Sequence, residues 1–360
     1  MSKKKICILG TANIKHMTLI SLYTEVFKEA NQKFDIIYID KYQEYEEYDA
    51  DTLYRFELKI ESNWSFSRKL AHYWSYKKFA IDIIKREKYD FIIVWNEFTA
   101  FMFSDFLSRN YSNRYCVNIR DQNFNRNPLV QLKYKQAIKR SCFSTISSEK
   151  FRGIFPNHDY LFIHSFNKNL VNGIIPVANK RPLDKPLRIM FIGRMSYPES
   201  IYKTIDSLGN DPRFEVSFIG AGCGVFTSYI SERGYENIFI HDSFDPKDTP
   251  LFLSSVDIIY SLNKENDIHS DTLLPIKLYY AIAKHIPILV YKSSYTYEFA
   301  KKHNIDIGIS GKDFERLGDI IFNEYQKLTQ EKIDDGCKKA INDIFETHKK
   351  LNEKIEKFIL

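Results

Sequence analysis

Three stretches in the second half of the chain hold residue types that suit phosphate chemistry. Gly193-Arg194 follows the apolar run Leu187–Ile192, and Gly220-Ala-Gly222 follows Phe214–Ile219. Ser270-Asp-Thr-Leu-Leu274 leads into Pro275-Ile-Lys-Leu-Tyr-Tyr280, which reads as the opening of a helix. Glycine lets a backbone approach a ligand closely. A helix N-terminus presents free N–H groups and a partial positive charge. Arg194, Lys203 and Lys277 could add full charges for a diphosphate. Thr272 has a side chain suited to capping the helix that begins near Pro275. Each signal is common by itself; their order across one half of the chain is more specific.

The first half offers acid–base candidates instead. Gly10, Thr11, Asn13 and His16 follow the run Lys5–Leu9. Asn96-Glu97 follows Val94-Trp95, and Arg120-Asp121 follows Tyr115–Ile119. In open α/β sheets ligands bind outside the carboxyl ends of strands, where all of these fall. Asp121 could take a proton from a hydroxyl or orient one, with Glu97 as a second carboxylate. His16 reads equally as a surface histidine, and Arg120-Asp121 as a local ion pair.

The elements that must position these residues follow from hydrophobic patterning. Short apolar runs at 5–10, 34–39, 89–95, 115–119 and 143–146 read as strands separated by helical stretches, including an amphipathic one at 67–88. The pattern restarts at 187–192, 214–219, 237–240, 256–260 and 286–290. Wholly apolar strands alternating with helices predict parallel sheets covered on both faces. The fold class is therefore α/β, with two Rossmann-like domains. A turn-rich stretch at 179–186 is the expected linker. It separates a domain over 1–180 from one over 181–335, and a charged helix over 336–360 closes the chain. With 360 residues there is enough chain for two cores.

Composition narrows the field. Hydrophobic residues make up 44% and the formal net charge is +6. Residues 1–180 hold 28 Lys and Arg against 19 Asp and Glu, whereas 181–360 hold 24 against 27. A basic first half suits an anionic partner. Arg68–Lys78 and Lys133–Arg140 mix aromatics with cations, as helices lying on anionic lipid headgroups do. Five cysteines show no metal-ligand spacing and fit a reducing compartment. No run reaches the length needed to cross a bilayer, and Ile6–Leu9 is too short for a signal-peptide core. The expected place is the cytoplasm, with the inner face of the cell membrane as an option. No nucleic-acid motif is present. Gly10-Thr-Ala-Asn13 lacks the GxGxxG of nicotinamide enzymes.

Taken in order, Gly193-Arg194, Phe218-Ile-Gly-Ala-Gly222 and Pro275-Ile-Lys-Leu-Tyr-Tyr-Ala-Ile-Ala with Ile286-Pro-Ile-Leu-Val290 resemble the C-terminal domain of GT-B glycosyltransferases of the retaining family-4-like group. Ile119-Arg-Asp121 and Thr145-Ile-Ser-Ser-Glu149 are similar to that group's acceptor domain. The resemblance covers roughly residues 4–330 and rests on several moderate motifs. It implies two domains facing a cleft, a nucleotide-sugar donor (a UDP-sugar is favoured), no cofactor and no metal, and a saccharide or lipid-linked acceptor. It implies that Gly193, Arg194, Asp271, Thr272 and Leu273 lie near the donor sugar and phosphates, and that Gly220 and Gly222 face the nucleotide. The group's usual Lys five residues after that Arg is here Glu199, so Lys203 one turn on is the expected substitute. The Glu that grips the ribose in such helices is here Tyr280, which could bond a ribose or sit in the core. The Ile, Lys, Asn, Tyr and Phe bias suggests an AT-rich bacterial genome, and with it capsule, O-antigen or wall polysaccharide synthesis. The alternatives are an inactive or partner-dependent GT-B subunit and a sugar-nucleotide epimerase.

Overall fold

The computed structural model describes residues 3–58, 65–121 and 128–360, apart from the side chains of 66, 67, 69 and 70. The chain divides into two units. Unit 1 comprises Met1–His164 with Glu346–Leu360, and unit 2 comprises Ser165–Phe345. Residues 165–180 thus group with the second unit and the last fifteen with the first, whereas the turn-rich stretch at 179–186 was the expected linker.

Unit 1 runs β1 (Ile6–Gly10), α1 (Ser21–Glu29), β2 (Phe34–Asp40), β3 (Thr52–Glu57), α2 (Phe66–Glu87), β4 (Phe91–Trp95), α3 (Glu97–Asn110), β5 (Tyr115–Ile119), α4 (Pro128–Arg140), β6 (Phe143–Ile146) and β7 (Tyr160–Phe162). Its seven strands pair in the order β3-β2-β1-β4-β5-β6-β7, all parallel. The strands β1, β2, β4, β5 and β6 are buried along their whole length, as a sheet covered on both faces requires.

Unit 2 runs β8 (Leu187–Ile192), α5 (Pro198–Leu208), β9 (Phe214–Ile219), α6 (Thr227–Arg233), β10 (Ile238–His241), α7 (Thr249–Leu253), β11 (Ile258–Tyr260), α8 (Ile268–Thr272), α9 (Ile276–Lys284), β12 (Ile288–Tyr291), α10 (Tyr295–Lys302), β13 (Asp306–Ile309), α11 (Leu317–Lys327) and α12 (Gln330–Phe358). Its six strands pair in the order β10-β9-β8-β11-β12-β13, again all parallel. At the amino edge, the buried Asp257 accepts from the Arg188 Nε and Nη2 at 2.9 Å each, which ties the start of β8 to β11. The helix α12 belongs to unit 2 up to Phe345; beyond it, Leu351 and Ile355 join the core of unit 1.

Ten of the strands follow from the apolar runs. The remaining three, β3, β7 and β13, all lie at sheet edges. An edge strand is covered less completely and needs fewer apolar residues, so its pattern is fainter. Among the described residues, no helix is long and apolar enough to cross a membrane.

Within unit 2, α12 passes so close to the end of α10 that a Cβ on Gly336 would lie 1.7 Å from the His303 carbonyl oxygen. Alanine favours a helix over glycine by about 1 kcal/mol, but here it meets backbone that cannot yield. Gly336→Ala is expected to lose about 1–3 kcal/mol of stability in denaturant unfolding; an unchanged or higher midpoint would refute the close packing.

Candidate active site

Each sheet has one place where the strand order reverses, between β1 and β4 in unit 1 and between β8 and β11 in unit 2. The loops leaving the carboxyl ends of those strands diverge and leave a crevice. The two units use it differently.

In unit 2 the crevice is a cavity of about 190 Å³, lined by Phe191 in β8, Arg194 and Tyr197 after it, Asn263 after β11, His269 and Ser270 from α8, Leu273 just beyond it, and Lys277 from α9. Arg194 is exposed, and no carboxylate pairs with it among the described residues. Lys277 is only 8% exposed, and its Nζ lies 4.6 Å from the Phe191 ring centroid. Burial draws its ammonium down to about 8, slightly opposed by the neighbouring Cys223. No carboxylate among the described residues offsets that charge, so an anion in the cavity would. The Ser270 hydroxyl is also buried and without a partner among the described residues.

The glycines shape this region in a way that differs from the expectation. Gly220, at φ +134°, approaches the neighbouring loop; a Cβ there would fall 1.9 Å from the Gly193 carbonyl oxygen. The Gly193 N–H donates to Ile219 at 2.9 Å and the Met195 N–H to Ala221 at 3.0 Å, which joins the loops after β8 and β9. The Asp242 carboxylate accepts from the N–H groups of Gly222 at 3.0 Å and Gly224 at 2.8 Å. The amide expected to face a nucleotide at Gly222 is therefore already engaged. Asp242, one residue beyond β10, has no signature in the sequence.

Four further expectations change. Thr272 ends α8, and its hydroxyl donates to the Ile268 carbonyl at 2.7 Å; Pro275 holds the N-cap of α9, where no side chain caps. Lys203 pairs with Glu199 at 2.9 Å and is absent from the cavity lining, because a four-residue spacing puts both on the exposed face of α5. Asp271 accepts from the Ser293 hydroxyl at 3.1 Å, and burial raises its carboxyl. Tyr280 is buried and away from the cavity lining, and burial raises its hydroxyl. Of the expected donor residues, the cavity brings together Arg194, Leu273 and Lys277. It adds Ser270, which opens the stretch before α9, and Tyr197, Asn263 and His269, for which spacing gave no signal.

In unit 1 the corresponding crevice is bridged by hydrogen bonds. The Asn96 Oδ1 accepts from the Thr99 N–H and hydroxyl at 2.9 Å each, and Thr11 and Thr99 hydroxyls meet at 2.9 Å. Asn13 is fully buried; its Nδ2 donates to Asp40 at 2.9 Å and Glu46 at 3.0 Å. The Gly10 carbonyl accepts from the Tyr76 hydroxyl, and a Cβ at Gly10 would meet the Met17 Cε at 2.0 Å. Gly10, Thr11 and Asn13 thus act as braces between strand-end loops. His16 sits at the surface with its Nε2 3.1 Å from the Tyr42 hydroxyl, and partial burial lowers its imidazole.

The structure does bring Glu97 and Asp121 together. Glu97 begins α3, is 6% exposed, and leaves its Oε2 without a partner among the described residues. Burial, and then the charge of Asp121, push its carboxyl up to about 8. Tyr134 on α4, whose buried hydroxyl is also unpartnered among the described residues, feels the same carboxyl. Asp121 is half-buried, and Arg120 accepts from the Ser147 hydroxyl at 2.8 Å through its carbonyl.

No protein-family model and no curated protein sequence matches the chain. Solved structures do. Sucrose-phosphate synthase from Thermosynechococcus elongatus superposes over 99% of this chain and 99% of its own, with a TM-score of 0.73 at 9% identity. A glycosyltransferase from Rickettsia africae covers 100% of this chain and 99% of its own, with a TM-score of 0.68 at 14% identity. HepE from Anabaena, solved in complex with UDP, covers 98% of this chain and 100% of its own, with a TM-score of 0.67 at 12% identity. The two parallel α/β units of this chain are those of the GT-B fold. At these identities the likeness defines the fold.

Two outcomes follow from the buried charges. Below pH 8 the fold carries the Lys277 ammonium at full cost; between about 8 and the ordinary 10.5 the unfolded chain holds this proton more tightly, so stability from this group rises with pH. Lys277→Met is therefore expected to stabilise the unliganded protein at pH 7 by roughly 2 kcal/mol in thermal unfolding; destabilisation would mean the ammonium has a partner. The folded Glu97 carboxyl keeps its proton up to about 8 against an ordinary 4.5, so its contribution falls as pH rises through that window. Glu97→Gln should narrow the gap in melting temperature between pH 5 and pH 8; an unaltered gap would place a charged Glu97 in the fold.

Proposed function

We propose that the chain transfers a sugar from a nucleotide-diphosphate donor, with a UDP-sugar favoured, to the hydroxyl of a saccharide or lipid-linked acceptor. The observation that carries this reading is the cavity at the reversal point of unit 2, where an exposed Arg194 and a buried Lys277 face one space with no carboxylate among the described residues to neutralise them. A diphosphate supplies the missing negative charge. As the bond from the anomeric carbon to the donor oxygen breaks, charge develops on the leaving phosphate, and both cations stabilise it. Lys277 takes the place expected for a Lys at position 199, from a different helix. Ser270 and His269 offer further donors to phosphate or sugar oxygens.

Transfer proceeds with retention at the anomeric carbon, the donor phosphate itself taking the acceptor proton on the same face. The protein then chiefly positions reactants, and unit 1 holds the acceptor. Asp121 orients the acceptor hydroxyl, with the neutral Glu97 beside it and His16 further out on the β1 loop. The HepE complex with UDP supports a uridine nucleotide. The bacterial composition supports a place in capsule, O-antigen or wall polysaccharide synthesis. The basic helices α2 and α4 of unit 1 rest on an anionic membrane surface, at the inner face of the cell membrane.

Thermal unfolding with UDP, GDP, dTDP and CMP, and their sugar conjugates, tests the donor site. One diphosphate at a hundred times its dissociation constant should add about 2.7 kcal/mol, and Arg194→Ala and Lys277→Met should each abolish the shift. No shift with any nucleotide would overturn the reading.

A further inference from the structure

Unit 1 holds a second cavity, of about 220 Å³, between α2, α3 and α4. Its walls are the rings of Tyr73, Trp74, Phe98 and Phe101 with the Met102 side chain. Tyr73 and Phe98 meet edge to face, with centroids 5.0 Å apart. Lys77 lies with its Nζ 4.6 Å from the Trp74 ring centroid, and Lys133 pairs with Asp105. Both lysines line the cavity. Because α3 follows β4 and α2 precedes it, the starts of both helices lie at the carboxyl edge of the sheet, the edge that carries Glu97 and Asp121.

The chemistry of the lining narrows the occupant. A sugar ring needs several directed hydrogen bonds. Here Asp105 is taken by Lys133, and the buried Ser104 hydroxyl has no partner among the described residues. Aromatic and thioether walls suit an aliphatic chain. The surroundings select the sign of its head. The helix α4 carries Lys133, Lys135, Lys139 and Arg140 and no acidic residue, and α2 carries six basic residues against two acidic ones. Trp74, Leu129 and Leu132 are 57%, 73% and 63% exposed beside these cations, the mixture that settles at a lipid–water boundary.

We infer that this cavity binds the apolar chain of an anionic phospholipid drawn from a bilayer, with Lys77 at its mouth taking the phosphate and Lys133 held beside it by Asp105. This deepens the membrane-surface reading above: the helices would hold a chain as well as lie on headgroups. Lys77 is partly desolvated beside Trp74, so a phosphate there replaces lost hydration.

Calorimetry with straight-chain alkyl phosphates from butyl to octyl, below their micelle concentrations, tests the cavity without a membrane. Affinity should rise about fourfold per added methylene until the cavity is filled, and octanol should bind more weakly than octyl phosphate. Met102→Asp and the exposed variant Trp74→Ala should flatten the series, with melting temperatures near wild type as the check on folding. Co-sedimentation with phosphatidylglycerol and with phosphatidylcholine vesicles tests the source; capture by the anionic vesicles alone is expected. Vesicle capture with no dependence on chain length would leave the surface reading standing and overturn the cavity. A chain-length series without vesicle capture would overturn the bilayer source and give the cavity to a soluble amphiphile.

Discussion

A parallel sheet covered on both faces leaves little room for polar chemistry inside it. Its strands are wholly apolar, their backbone groups are consumed by the ladder, and the helices seal the faces. Polar side chains are affordable where the strands end. Both sheets of this chain obey that constraint, and its candidate site residues stand almost entirely at carboxyl ends. The place where strand order reverses then decides where a ligand fits, because only there do successive loops part.

The two units show how the same constraint supports different outcomes. In unit 1 the reversal point is spanned by Thr11, Asn96 and Thr99, and short polar side chains hold the loops together. In unit 2 the equivalent loops are joined one strand further along, through Gly193 and Gly220, and the reversal point stays open. A cavity lined by an exposed guanidinium, with no carboxylate partner among the described residues, and a buried ammonium results. Burying the Lys277 ammonium without a partner is unfavourable for folding. Such a cost is commonly met at functional sites, where an incoming group of opposite charge offsets it.

Glu97 is the counterpart in unit 1. A carboxyl held neutral by burial and by a second carboxylate can donate a hydrogen bond at a pH where an exposed one cannot. Lys277 and Glu97 each occupy the first turn of a helix that follows or precedes a central strand, so rigid elements set their positions. The cations of α2 and α4 are different in kind. Apart from the half-buried Lys77 and Lys133, those whose side chains are described are exposed, add little to stability, and act through their collective field.

The sequence alone determined the fold class, ten of the strands, the restart of the pattern and the strand ends where chemistry must lie, because each depends on local runs of apolar residues and the residues next to them. It also placed Arg194, Lys277, Glu97 and Asp121 among the candidates. The tertiary structure decided which candidates share a space. Lys203 and Glu199 are four apart on one helix, so they find each other before any ligand. Thr272 closes α8 because its hydroxyl reaches Ile268 one turn back. Gly222 is engaged by Asp242, twenty residues away in sequence and adjacent only because β9 and β10 pair. His269 joins the cavity from α8, and Asn263 and Tyr197 from two different loops. Such neighbours are set by strand order and loop path, which no local pattern of residues encodes.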